Sequence, residues 1–260
     1  MATKAIDLNE YGYLFDTCLI KKEKYTEVDR IVTAIAANKA RYEGVGNPIG
    51  IPWYFIGIIH SMEADLRFDC HLHNGDPLIA RTVQVPKNRP INGVPPFTWE
   101  ASAIDALTYD GSVGISNWDI PNMLYRFERY NGIGYLSRGI KSPYLWSFSN
   151  QYTKGKFVKD GVFDPEAVSD QCGAAVLLRR MVESHIIPLG EVDRLTLIKN
   201  IGLKVRYNAG NTPDDKAFEL QTLLNSIGLA LKIDGLAGKN TSTAFQKVAG
   251  TYLEGDPRLK

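Results

Sequence analysis

The sequence predicts an α+β fold, mainly α: a large helical domain carrying one small β-hairpin, then a smaller second domain. Three observations lead there. Apolar residues recur at helical spacing over most of the first 187 residues. One Gly- and His-bearing stretch, residues 64–86, changes to turn and strand chemistry. Near Pro188 the pattern breaks, and a compact unit follows from about Tyr207. The expected boundaries are 1–187 for the first domain, 188–206 for a connector, 207–252 for the second domain and 253–260 for a tail.

The elements follow in order. Thr26 with Asp29 three positions on reads as a helix start, and Val28, Ile31, Val32, Ile35 and Ala36 continue it to about Tyr42. Gly44, Gly46, Asn47 and Pro48 end it, and Pro52 suits the first position of the next helix. Residues 52–62 (PWYFIGIIHSM) are apolar nearly all round, as in a helix buried on every side. Asn74-Gly75 is a strong turn dipeptide, and residues 81–86 (RTVQVP) alternate like a strand, which makes a hairpin of the segment. Pro90, Gly93, Pro95 and Pro96 mark a loop. Helical patterns then cover 99–109, 119–130, 144–152 and 169–184. In the second domain 217–227 is amphipathic and stops at Gly228, Asp234-Gly235 makes a turn, and Thr241 opens a last helix over 242–249.

Composition excludes several classes. A net charge of +1 gives no basic field for nucleic acid. No stretch is long and apolar enough to span a bilayer, so no membrane insertion is expected. The opening MATKAIDLNEYGYLFD has no basic start followed by an apolar run, so no Sec-type leader is expected. Three cysteines, Cys18, Cys70 and Cys172, make no disulfide framework and read as buried thiols of a reducing compartment. Cys70 lies among His60, His71 and His73, but without CxxC or HExxH spacing, so neither metal nor cofactor is expected.

The residue that invites chemistry is Glu63, at the end of the apolar helix. Burial disfavours its charged form, and the negative end of the helix dipole acts the same way. A carboxyl held protonated near neutral pH suits a general acid. Asp76, in a polar turn, is the candidate partner, since an acid in an apolar site beside a carboxylate in a polar one is the arrangement of glycoside hydrolysis. The structural alternatives are a Glu63 ion pair with Arg67 or Arg81, and Asp76 as a turn former. His71 and His73 read as a hydrogen-bonding pair on one strand face and are candidate substrate contacts. Trp99, Trp118 and Trp146 read as core, and Tyr144, after Ser142-Pro143, is selected as a cleft residue. Glu100 is a reserve carboxylate.

These residues carry a resemblance. A Glu ending a helix, an Asp in a hairpin, five intervening residues and then Thr82 resembles the catalytic pattern of phage-type lysozymes and endolysins. Here twelve residues separate Glu63 from Asp76, more than is usual in that family. The wider segment also resembles goose-type lysozymes and lytic transglycosylases, whose catalytic Glu likewise ends a buried helix. Residues 142–150 (SPYLWSFSN) and Gln171-Cys172-Gly173-Ala174-Ala175 look like the helical half of that superfamily, so the likeness covers roughly residues 50–180. It implies a lysozyme-like domain, with Glu63 as acid and Asp76 and Thr82 handling water.

The second resemblance lies in residues 207–250. Leu220-Gln221, Leu224-Asn225, Gly228, Leu231, Ile233-Asp234-Gly235, Gly238, Thr241 and Ala244-Phe245 look like the signature of three-helix peptidoglycan-binding modules. Together the two imply a muramidase that cleaves between N-acetylmuramic acid and N-acetylglucosamine, tethered to its insoluble substrate. The expected partner is bacterial peptidoglycan, with the chain a monomer. Three alternatives stay open: a lytic transglycosylase using Glu63 alone, a chitinase or chitosanase, and a non-catalytic wall-binding protein. Synthesis in the cytoplasm, with holin-type or injection-type release to the periplasm or wall, is the expected route.

Overall fold

The computed structural model describes residues 8–159, 161–189, 194–208, 210 and 212–259. Of the opening residues read for a leader, 1–7 lie outside the described ones. The protein is mainly helical with one small antiparallel sheet, α+β as expected. It divides into two compact units, Met1–Gly190 and Glu191–Lys260.

The first unit runs through α1 (Leu8–Asp16), α2 (Tyr25–Ala37), α3 (Lys39–Gly46), α4 (Trp53–Ala64), α5 (Trp99–Tyr109), α6 (Ile120–Asn131) and α7 (Pro143–Trp146). Then come β1 (Lys156–Lys159), β2 (Val162–Asp164) and α8 (Ala174–Glu183). Helix α4 is the axis. Phe55, Ile56, Ile58 and Ile59 have no exposed surface, and each such side chain contributes about 1.5–3 kcal/mol on burial. It packs against α2, α3 and α8. Gly57 permits the approach of α2, because a Cβ there would lie 2.5 Å from Ile35 Cγ2. Helices α5 and α6 begin on side-chain caps, Thr98 accepting from the Ala101 amide and Asp119 from the Asn122 amide.

Several expectations change. No strand forms in residues 64–86; the segment holds a single bridge, Cys70 to Pro77. Its backbone donors go to side chains instead: the amides of Val83 and Gln84 both donate to Asp76 Oδ2, at 2.8 and 2.9 Å. A strand needs those donors for a ladder. The hairpin of this unit is β1–β2, pairing Phe157 with Phe163. The helix read from Thr26 begins at Tyr25 with no side-chain cap and breaks at Asn38, so α2 and α3 replace one element. Pro52 caps α4 from outside. The helix read over 144–152 stops at Trp146, because Ser147 is extended and Phe148 takes φ 74°. That read over 169–184 starts only at Ala174, where Gly173 lies so close to the Leu145 carbonyl that a Cβ would clash.

The second unit holds α9 (Arg194–Gly202), α10 (Asp215–Ser226) and α11 (Lys239–Ala249). Helix α9 corrects the expected connector. Ile198 and Ile201 are buried in one core with Leu220, Leu224 and Phe245, so residues from 194 onward belong to the unit itself. Thr241 is not the cap of the last helix, which already starts at Lys239. It sits instead in a knot around Gln221. The Gln221 amide nitrogen donates to Asp234 Oδ1, the Leu236 carbonyl and Thr241 Oγ1, and its oxygen accepts from the amides of Asp234 and Gly235. Gly235, at φ 71°, makes the expected turn.

Candidate active site

Glu63 lies in the last turn of α4. The helix is closed by Asp65 and Leu66, two non-glycine residues in the left-handed region, at φ 49° and 60°. The Leu66 amide donates to the His60 carbonyl at 3.2 Å, satisfying the end of the helix while turning the chain away sharply. Gln171 donates through its amide nitrogen to the Met62 carbonyl at 2.8 Å. On the other flank Gly75, at φ 76°, fits so closely that a Cβ would stand 2.6 Å from the Glu63 carbonyl oxygen. The turn of residues 74–76 thus rests on the backbone of Glu63.

The Glu63 carboxyl is desolvated, and burial pushes its pKa up to about 7. Opposing this, the Tyr144 hydroxyl donates to Oε1 at 2.8 Å and favours the charged form. Tyr144 is buried, and its own pKa is raised by burial and by the nearby Glu63. Tyr130 donates to the Leu72 carbonyl at 2.9 Å, and it also feels the charge of Glu63. Neither Arg67 nor Arg81 forms an ion pair with Glu63; Arg81 donates to the Gly93 carbonyl at 2.8 Å. Glu63 is therefore a carboxyl without a cationic partner among the described residues, half protonated near neutrality. It can give up a proton and take one back in the physiological range.

The other predicted residues divide. Asp76 Oδ2 holds the amides of Val83 and Gln84, which leaves Oδ1 without a hydrogen bond among the described residues. Thr82 is 1% exposed; its hydroxyl donates to the Pro86 carbonyl and accepts from the Arg89 amide at 2.9 Å. It braces the loop, and the water-holding role read from spacing is corrected accordingly. His71 is buried, with Nδ1 2.7 Å from Ser102 Oγ and Nε2 2.8 Å from the Ala80 carbonyl oxygen. Both ring nitrogens are committed, so the expected substrate contact is corrected to a structural one. His73 is buried too, its Nε2 2.8 Å from Asp105 Oδ2. Burial lowers its pKa against the pull of Asp105, which Arg89 shares at 2.9 Å. Tyr144, read as a cleft residue, donates a hydrogen bond to Glu63. Glu100 pairs with Arg41, which lowers its pKa.

Sequence reasoning missed the Tyr144–Glu63 bond, the Gly75 contact and the His73–Asp105–Arg89 cluster. Gly75 leaves a signal as the second half of Asn-Gly, which reads as turn chemistry. Among the described residues no group of His, Cys, Asp and Glu is assembled to hold a metal ion. His60 is held between the Tyr42 hydroxyl and the Arg67 carbonyl, at 3.0 Å each.

Two hollows complete the picture. One of about 630 Å³ flanks the last turn of α4 and is lined by Glu27, Arg30, Ser61, Met62, Asp65 and Gln171, without Glu63 itself. In the second unit a groove of about 620 Å³ runs beside the Gln221 knot, lined by Leu231, Lys232, Asp234, Lys239 and Lys247 among others. No helix among the described residues is long and apolar enough to cross a membrane. No family model, curated protein or solved structure matches the chain.

Proposed function

We propose that the protein is a cell-wall glycosidase of lysozyme-like architecture that cleaves the bond between N-acetylmuramic acid and N-acetylglucosamine in peptidoglycan, with Glu63 as general acid. The observation that carries the reading is the Glu63 carboxyl itself, raised to about 7 by burial and hydrogen-bonded by the Tyr144 hydroxyl. Glu63 gives its proton to the glycosidic oxygen as the C1–O bond breaks, and the charge left at C1 is met by water. Asp76 Oδ1 is the acceptor for the proton of that water, and Thr82 keeps the loop that carries Asp76 closed. The product then has inverted configuration, and the two carboxyls work roughly 6.5–9.5 Å apart in such enzymes. The second unit, whose motif residues Gln221, Asp234, Gly235 and Thr241 form its knot, would hold the enzyme on the polymer and raise its effective concentration there.

One observation favours a second reading. With Thr82 committed inside the loop and Asp76 Oδ2 clamping it, the water-handling pair is incomplete. Glu63 would then act alone: after donating its proton it takes one from the sugar's own 6-hydroxyl as that oxygen attacks C1. The products are 1,6-anhydro sugars, as in lytic transglycosylases. Mass spectrometry of purified peptidoglycan digests separates the two by the mass of one water. Glu63→Gln should abolish product release while leaving wall binding intact. Products formed by Glu63→Gln at the wild-type rate would sink both readings, and bound but uncut wall with the wild-type protein would favour a non-catalytic binder.

A further inference from the structure

Asp105, a carboxylate that the chemistry above does not use, joins the two ends of the loop that carries Asp76. It lies in the middle of α5 with 12% of its side chain exposed. His73 enters from one end of the loop and puts Nε2 2.8 Å from Asp105 Oδ2. A carboxylate only accepts, so the His73 proton is on Nε2. Nδ1, buried and without a partner among the described residues, is then the unprotonated nitrogen, and burial holds the ring neutral at pH 7. Arg89 enters from the other end, its Nε 2.9 Å from the same oxygen. That nitrogen makes no hydrogen bond, so the contact is one of charge. With His73 neutral, the charge of Asp105 is left for Arg89. Apolar residues of like volume often replace a buried ion pair without loss of stability, so stability alone does not call for this one.

Both contacts pass directly to Asp76. On the first side His73 leads into the turn of residues 74–76. There Asn74 Oδ1 accepts from the Asp76 amide at 3.1 Å, and Gly75 rests against the Glu63 carbonyl. On the second side Arg89 is tied to Thr82 in both directions: its carbonyl accepts from the Thr82 amide, and its amide donates to Thr82 Oγ1, each at 2.9 Å. Val83 and Gln84, next in the chain, donate to Asp76 Oδ2. No helix or strand lies between α4 and α5, so these side chains do the work that a ladder would do. We propose that Asp105 is a positioning residue: by holding His73 and Arg89 at once it fixes the loop against α5 and sets where the Asp76 carboxyl stands relative to Glu63. The inference deepens the proposed site and rests on the reading in which Asp76 acts with Glu63.

The test uses the whole chain with Asp105→Asn, which removes the charge, and with the pair His73→Leu and His73→Gln, of which only the second keeps an N–H donor for Asp105. Hydrogen exchange of the Val83 and Gln84 amides, normalised to intrinsic rates, reports whether the loop stays closed on Asp76, whether or not the protein cuts glycan. Product release from soluble peptidoglycan fragments gives kcat and KM, with Asp76→Asn as the reference. Asp105→Asn and His73→Leu should lower the protection of both amides by about tenfold and kcat by about 10- to 100-fold, the cost of a group misplaced by about 1 Å, with KM little changed. His73→Gln should recover most of both. A lower melting temperature with protection and kcat unchanged would make Asp105 purely structural and overturn the proposal, as would equal losses in His73→Gln and His73→Leu. Should Asp105→Asn fail to fold, the His73 pair decides by the same criteria. Wild-type kcat in Asp76→Asn, with Val83 and Gln84 deprotected in Asp105→Asn, would place the failure in the role of Asp76 and leave Asp105 as the tie of the loop.

Discussion

Four carboxyls, two in each unit, use the same functional group in opposite ways. In the first, Glu63 and Glu128 are carboxyls pushed up, to about 7 and about 8, because burial removes water and no cation opposes it. In the second, Asp234 and Asp256 are pulled down: Asp234 by the Gln221 amide and the Leu236 N–H, Asp256 by the Arg258 guanidinium and the Ser242 hydroxyl. A carboxyl short of donors holds its proton and can deliver it. One surrounded by donors keeps its charge and acts as a clamp. The contrast separates a unit with capacity for acid chemistry from one organised for rigidity.

The largest effect that would break this comparison is chemical. In the proposed function, Glu63→Gln should lower the rate of glycan cleavage by about 10²- to 10⁴-fold, the usual contribution of a positioned general acid, without altering the second unit. Activity within a few-fold of wild type, measured by product release, would mean that the raised carboxyl is structural.

The next effect is in pH. Glu63 and Glu128 ionise near 7 and 8 when folded, against an ordinary 4.5, so the folded chain binds more protons over that interval. Their stabilisation is complete below about 4.5 and is lost as pH rises through 7 and 8, on the order of 3 kcal/mol for Glu63 and 5 kcal/mol for Glu128. Asp234 and Asp256 have the opposite sign: their contribution is present above the ordinary 3.8 and is lost as pH falls. All four tryptophans (Trp53, Trp99, Trp118 and Trp146) lie in the first unit, so fluorescence melting reads that unit alone. Its melting temperature should fall from pH 5 to pH 9, and Glu63→Gln should flatten the slope around pH 7. The protection factors of the Gly235 and Leu236 amides, exchange being normalised to the intrinsic rate at each pH, should instead fall toward acid pH.

How far these features were legible in the sequence follows from their range. Glu63 was legible because a long apolar run ends on it, and burial plus the helix end dictate the direction of its shift. The Asp234-Gly235 turn and the core positions Leu220, Leu224 and Phe245 were legible because glycine punctuation and helical spacing are local signals. Tyr144 as the donor to Glu63 was not, since the two lie 81 positions apart and only packing brings them together. The strand read over 81–86 failed for a related reason. Its alternation is one of residue types alone, since Thr82 is buried while Val83, Gln84 and Val85 are all exposed, and the donors a ladder needs are taken by the Asp76 carboxylate. Helix α9 was hidden by the charged and glycine-bearing residues around it, although Ile198 and Ile201 had the spacing of a buried face.

A smaller effect tests the clamp. Gln221→Ala leaves the Asp234 and Gly235 amides without their acceptor and Asp234 Oδ1 without the Gln221 donor. It should destabilise the second unit by about 2–3 kcal/mol, seen as faster exchange at Gly235 and Leu236. Tryptophan melting of the first unit should not change. Wall retention, in the proposed function, should fall while cleavage of small soluble fragments persists.

The smallest effect sharpens what kind of clamp this is. Asp234 also has an ammonium nearby, Lys232 Nζ at 3.6 Å, and an ion pair could be credited with holding its charge. The Lys232 side chain is 85% exposed, however, so water and salt screen the pair, and ordering a long flexible chain opposes it. The Gln221 and Leu236 bonds are fixed by the backbone and by a buried side chain, and they come first among the causes of the Asp234 shift. Lys232→Met should therefore leave exchange at Gly235 and Leu236 unchanged within error, with no dependence on added salt. A loss approaching that of Gln221→Ala would transfer the clamp from hydrogen bonds to charge, and the two units would then differ in their cations rather than in their donors.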